Sequence, residues 1–344
     1  MRAWLPREFL KYLYAALFLG LFANAYAFSN PKEAPGMGVA DARHFLARVG
    51  FGATPEEIDA FAKLSHAQAI AQVLKPIGTT VVVPAPPDVA EFVPRSAIRE
   101  QRAQSEDAKK AVQQEQVRRA LLLRAWWVDN LLQTPDPATE LRERMVLFWH
   151  NHFVSSVSKV KSAAVMQRQN QLFRERGLGS FADLLHAVAK DPAMVVYLDS
   201  ASNRKGSPNE NFAREVMELF TLGEGHYSEQ DIKEAARAYT GWSVDPETGL
   251  FKWRPMAHDF GEKNVLGQSG NFDGDAVLDI LLSQPQCAEF IVEKLWREFI
   301  SPQPDSREVK RIARAWYNAG RTNGVPSYDL RFVLAELFKS KAFW

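Results

Sequence analysis

Cysteine is nearly absent. Cys287 stands alone among 344 residues, so no disulfide within the chain can staple the fold, and the residue reads as plain core. An excess of one charge is also missing. Lys and Arg number 42 against 41 Asp and Glu, so no net field draws the chain to nucleic acid or an acidic membrane. No GxSxG, HExxH, P-loop or CxxCH pattern occurs, which removes several familiar chemistries. There is no internal repeat, coiled-coil heptad or low-complexity tract.

What is present points to a packed helical interior. Nine Trp and 22 Phe suit a globular core rather than disorder. The length allows one large domain or two ordinary ones. At the start, Arg2, Arg7 and Lys11 precede an apolar run from Tyr12 to Phe22, and Ala25–Tyr26–Ala27 makes an A-x-A site. This is the layout of an export signal over residues 1–27, and the run is too short for a comfortable membrane span. The expectation is a mature chain beginning near Phe28, periplasmic or extracellular, with no stable transmembrane span.

Helix punctuation organises the rest. Residues 28–75 read as short helices. Thr54–Pro55–Glu56–Glu57 combines an N-cap, a first-turn Pro and a capping-box Glu, and Asp41 and Ser65 are further N-caps. Residues 76–95 read as a Pro-rich linker. A main helical domain follows at 96–344. It opens with one long helix over 96–133, whose second half carries Val117, Leu121, Trp127, Val128 and Leu131 at helical spacing. Helices are expected at 163–176, 181–190, 208–222, 229–240, 275–283, 287–300, 306–319 and 328–339. The one β element is a hairpin at 242–253, turning at Asp245–Pro246 and Gly249. The fold class is all-α with a small β-hairpin insertion.

Four segments could carry chemistry. In FWHNHF (148–153) the two histidines sit about 200° apart on a helix, so they cannot grip one ion together. The stripe Leu141, Met145, Phe148 points His152 inward and leaves His150 partly exposed. Buried imidazoles are commonly satisfied core residues, yet a buried His with a partner is also what catalysis requires. In SPNENFAREVMELFTLGEG (207–225), Ser207, Pro208 and Glu210 read as a capping box. Asn211, Glu215 and Glu218 align on one face beside Arg214, either as a cation or proton site or as a solvated salt-bridge face. In YSEQDIKEAARAYTGW (227–242), Ser228 and Asp231 cap a helix that leaves Arg237, Thr240 and Trp242 without structural duty. The Gly-rich loop 258–275 offers His258, Asp259 and Lys263, while Asp273 and Asp275 read as caps.

These segments, with GFGATPEEI, KDPAMVVYLD, NRKGSPNENF and HDFGEKNVLG, occur in an order that resembles the bacterial family known as domain of unknown function 1800, over residues 40–344. The resemblance implies a secreted, mostly helical protein of no settled activity. It favours Asn151 and His152 over His150. It also draws attention to Asn209, Glu210, Asn211, Arg214, Glu215 and Glu218, to Asp231, Arg237, Thr240, Gly241 and Trp242, and to His258, Asp259 and Lys263. It further suggests a co-encoded exported sulfatase-like partner, and relatives that continue past Trp344, which implies either a short member or a missing C-terminal helical portion.

Two readings follow. In the leading one, His152, Arg214, Glu215, Glu218, Arg237, His258 and Asp259 form an enzyme-like site for hydrolysis or group transfer on an envelope or secreted substrate. His152, Glu218 and His258 would then be ligands to a divalent metal ion, and Asn151, Asn211, Trp242 and Lys263 would be neighbours. In the rival, the same His, Glu and Arg residues form a buried network that serves packing in a non-catalytic envelope module. The enzyme reading requires His152, Glu215 or Glu218, and His258 to meet around an open pocket.

Overall fold

A computed structural model of the chain describes residues 35–322 and 324–344; the export signal expected at 1–27 lies outside them. Capping residues place the first helices. α1 (Gly38–Val49) holds Asp41 inside its first turn, so Asp41 is not the expected cap; its carboxylate meets His66 Nε2 at 2.8 Å. α2 (Pro55–Ala62) opens on the Thr54–Glu57 capping box, and α3 (His66–Val73) on Ser65. In both, side-chain oxygens take N–H groups that a helix start leaves free. The chain then runs irregularly to residue 94, apart from the single turn α4 (Pro87–Ala90).

The long helix expected at 96–133 is two. α5 (Arg95–Gln104) stops at Ser105, whose hydroxyl accepts the Ala108 N–H at 3.0 Å and caps α6 (Glu106–Leu132). The buried stripe of α6 also differs from the expected one. Trp126 and Asn130 are buried, whereas Val117, Leu121 and Val128 are at least half exposed. Tertiary hydrogen bonds explain the rotation. Trp126 Nε1 and Asn130 Nδ2 both donate to Val83 O, at 2.8 and 3.1 Å, and Asn130 Oδ1 accepts the Val83 N–H.

α7 (Pro137–His152), capped by Asp136, buries eleven of its sixteen residues, too many for one stripe, so it is covered on several sides. It packs against α1, α3 and, beyond the single turn α8 (Val157–Val160), α9 (Ala163–Arg176). The charged run before FWHNHF is therefore interior. Arg174 forks Glu143 through Nε and Nη2 at 2.8 and 2.7 Å, and Arg142 Nε reaches the same carboxylate at 3.1 Å. An uncompensated charge there would cost several kcal/mol, on the order of 3–5. α10 (Phe181–Ala189) leads to α11 (Pro192–Tyr197), which periodicity did not reveal. Its cap, Asp191, is buried and accepts from Gln169 Nε2 at 2.7 Å and Met194 N–H at 3.2 Å.

α12 (Asn211–Glu215) continues into a π-helical segment, Val216–Thr221, and α13 (Glu229–Ala238) opens on the Ser228–Asp231 capping box. The expected hairpin forms as β1 (Trp242–Val244) and β2 (Phe251–Trp253), with Trp242 opposite Trp253. A second hairpin, β3 (Lys263–Val265) and β4 (Gln268–Gly270), folds within the Gly-rich loop and lies along α13. α14 (Gly274–Leu282), α15 (Pro285–Phe299) and α16 (Ser306–Asn318) follow, then the short pair β5 (Arg321–Thr322) and β6 (Val325–Pro326), and α17 (Leu330–Lys339). Asp273 caps α14, but Asp275 instead binds His186 and Lys190.

The chain is thus mostly α-helical with small antiparallel hairpins. One apolar cluster runs from Phe45 through Trp149, Phe181 and Leu281 to Phe338 and takes in Cys287. Among the described residues no helix is long and apolar enough to cross a membrane.

Candidate functional site

His152 meets the 208–222 segment, though at its C-terminal carbonyls rather than its polar face. The π-helical turn ends with Leu222 N–H on Met217 O at 2.8 Å and Thr221 Oγ1 on Val216 O at 2.6 Å. Gly223 follows with φ +82°. Carbonyls at such an end have no intrahelical donor. His152 Nε2 lies 3.2 Å from Phe220 O, and Lys294 Nζ donates to Leu219 O at 2.9 Å and to His152 Nδ1 at 3.2 Å. An ammonium donating to Nδ1 leaves the proton on Nε2, so the ring is the Nε2–H tautomer and donates to Phe220 O. Burial, reinforced by the nearby Lys294 charge, holds His152 well below the usual imidazole range. Burial, with Arg297 nearby, likewise lowers Lys294 to about 8. His152 is therefore a neutral cap with both nitrogens engaged. His150, partly exposed as its position dictates, accepts from Asn170 Nδ2 through Nε2 at 3.1 Å beside Trp127 and Phe173. Burial, then Arg174, lowers it to about 3. Asn151 is exposed.

The acidic face of α12 divides. Ser207 is not its cap: it sits opposite Arg204 in a turn, and the helix starts four residues later, where Asn209 Oδ1 accepts the Asn211 N–H at 2.9 Å. Arg214 forks Glu229 with two bonds of 2.8 Å and reaches Glu210 at 3.4 Å. Glu218 accepts the Tyr227 hydroxyl at 2.6 Å. Asn211 Nδ2 donates to Leu198 O at 3.2 Å. Glu215 alone has no side-chain partner among the described residues. Burial, then Glu218, raises its carboxyl, and it lines a cleft of about 420 Å³ with Lys159, Tyr197 and Leu219.

A second network is centred on Thr240, which is fully buried. Its hydroxyl donates to Arg237 O at 2.6 Å and accepts the Asp259 N–H at 2.8 Å, while its carbonyl accepts from His258 Nδ1 at 2.9 Å. His258 and Asp259 do not form a pair. His258 is buried between Trp253 and Phe260, and Asp259 turns to Arg237 Nε at 2.8 Å. That guanidinium holds the Asp259 carboxyl down at about 2. Lys263 is buried and donates to Asp259 O and Gly261 O at 2.6 and 2.8 Å; burial lowers its pKa. Trp242 packs among Phe212, Tyr239 and Phe251. Asp231 closes its capping box and also accepts the Leu266 N–H at 2.7 Å, tying the second hairpin to α13.

The expected residues thus fall into three places. His152, Glu218 and His258 have separate partners and do not converge, and among the described residues no three His, Cys, Asp or Glu side chains gather to hold a metal ion. Sequence reasoning missed a polar depression of about 690 Å³ lined by Ser202, Asn203, Arg204, Asn209, Gly241 and Arg254, among others. Here the NRKGSPN and TGW stretches meet the end of the first hairpin. The available signal was the number of turn formers in NRKGSPN; its relation to Arg254 is purely tertiary.

No curated protein and no solved structure matches the chain. Residues 44–344 match the family described as "Protein of unknown function (DUF1800)", nearly the whole of the described region and with the segments that form all three polar clusters, so the chain belongs to that family.

Proposed function

We propose that the chain is an exported, non-catalytic binding module. The observation that carries this is the occupation of its ionisable groups: His152, Arg237, His258, Asp259 and Lys263 each hold backbone or one another, and Arg214 is paired with Glu229. Groups fixed in this way have no free lone pair or proton at an open surface, so they specify packing. The cluster of Arg2, Arg7 and Lys11, the apolar run and the Ala-x-Ala site support export. The open polar surface is the depression at 201–210 and 241–257. Metal analysis of the mature protein, beside His152→Ala and Glu218→Gln, tests the reading. The module predicts no stoichiometric metal and a stability loss in His152→Ala. Stoichiometric metal lost in both variants would overturn it.

One observation favours an enzyme instead, namely the unpartnered Glu215 in its cleft with raised pKa. In that reading Glu215 is the general acid or base. Glu215→Gln would then abolish an activity without changing stability, whereas the binding module predicts no activity to lose.

A further inference from the structure

We propose that the depression between residues 201–210 and 241–257 binds an oxyanion, a carboxylate, sulfate or phosphate group of a ligand, between the guanidiniums of Arg204 and Arg254. This rests on the binding-module reading and gives it a ligand class.

The two arginines are brought together by one residue. Gly241 donates its N–H to Asn203 O, immediately before Arg204, at 3.1 Å, and accepts the Arg254 N–H at 2.9 Å. Gly241 has φ +88°, and a Cβ there would stand 2.7 Å from Arg254 O, so only glycine makes this junction without strain. A second tie crosses the depression: Lys205 N–H donates to Ala257 O at 2.8 Å, while Ala257 N–H returns to Arg254 O at 3.0 Å. Asn203, buried, fixes the near wall. Its Oδ1 accepts the Asn209 N–H at 2.9 Å and its Nδ2 donates to Ala236 O at 2.8 Å. The backbone carrying both arginines is therefore set before any ligand arrives, which reduces the ordering cost of binding.

Among the described residues their side chains have no partner. Arg118, Arg144, Arg174, Arg214, Arg237 and Arg311 are all ion-paired. Neither Arg204 nor Arg254 has a carboxylate or a side-chain hydrogen-bond acceptor among the described residues, although both line the same cavity. The one carboxylate on the rim, Glu210, is engaged with Arg214 at 3.4 Å. Two exposed arginines without a carboxylate partner among the described residues, lining one polar depression, match an oxyanion, which accepts paired N–H bonds. A neutral apolar ligand would leave both charges unused.

The test titrates the mature protein at low salt with inorganic sulfate, inorganic phosphate and glucuronate, followed by arginine Nε–H NMR shifts. Saturable binding of at least one, with Kd on the order of 1 mM, is expected, and the preferred anion separates the three sources. Arg204→Ala/Arg254→Ala should weaken it at least about tenfold with an unchanged unfolding temperature, while Arg43→Ala, outside the depression, leaves it intact. No saturable binding, or binding unaffected by the double variant, would overturn the site. Cleavage of 4-nitrophenyl sulfate or phosphate that the double variant abolishes would uphold the site and overturn the non-catalytic reading.

Discussion

Replacing His152 by Phe separates a structural imidazole from a catalytic one. Phe keeps the ring among Phe148, Phe153 and Phe220, whose centroids lie 6.1, 4.4 and 5.9 Å from that of His152. It deletes the Nε2–H donor to Phe220 O and the Nδ1 acceptor for Lys294. Lys294 retains Leu219 O, so the main loss is one buried carbonyl left unpaired, worth about 1–3 kcal/mol. His152→Ala adds a cavity in the same cluster and should cost about 3–5 kcal/mol. Urea unfolding at neutral pH with an unchanged slope measures both. A double cycle with Lys294→Met should show a coupling of about 0.5–1.5 kcal/mol, because the two side chains serve one helix end. If His152→Phe matches the wild type within about 0.5 kcal/mol, the capping account is refuted.

Three other perturbations address other buried contacts. Burial raises the Asp191 carboxyl from 3.8 to about 7, so the folded chain binds a proton that the unfolded chain has released. Stability from this group is full below about pH 4 and falls as pH rises to 7, by on the order of 2–4 kcal/mol. Asp191→Asn, which keeps the cap acceptor, should gain on the wild type between pH 4 and 7 in urea unfolding; a constant difference would contradict the assignment. Gly241→Ala forces a left-handed backbone and a 2.7 Å contact with Arg254 O, so it should cost about 1–3 kcal/mol and perturb both arginine resonances. Glu143→Gln leaves Arg142 and Arg174 uncompensated and should cost about 3–5 kcal/mol in denaturation midpoint analysis; a loss under about 1 kcal/mol would mean that the triad is solvated.

Local chemistry made much of the fold legible. Thr54 with Glu57, Ser65, Ser228 with Asp231, and Asp273 cap helices as their sequence contexts require, and Asp245–Pro246 with Gly249 turns the first hairpin. What escaped depends on distant partners. The π-helical end of the 208–222 segment relies on carbonyl capture by His152 and Lys294, residues 142 positions apart. The rotation of α6 follows from hydrogen bonds to Val83, which no periodicity encodes. Nothing in the sequence marks Arg142 and Glu143 as interior, because Arg174, their partner, comes 31 residues after Glu143. His152 was correctly aimed inward by its apolar stripe, but what it touches was set by α15. Arg204 and Arg254 escaped because an exposed arginine in a turn has the same sequence signature whether or not it faces a second one.

The most direct measurement of the central claim is the protonation of the two buried histidines, by long-range ¹H–¹⁵N correlation of the mature protein from pH 5 to 8, with and without one equivalent of Zn²⁺. The account predicts a neutral Nε2–H ring for His152 and an Nδ1–H ring for His258, with His152 unchanged across the range and both indifferent to zinc. Titration of His152 within that range, or zinc-dependent shifts shared by His152 and His258, would contradict it.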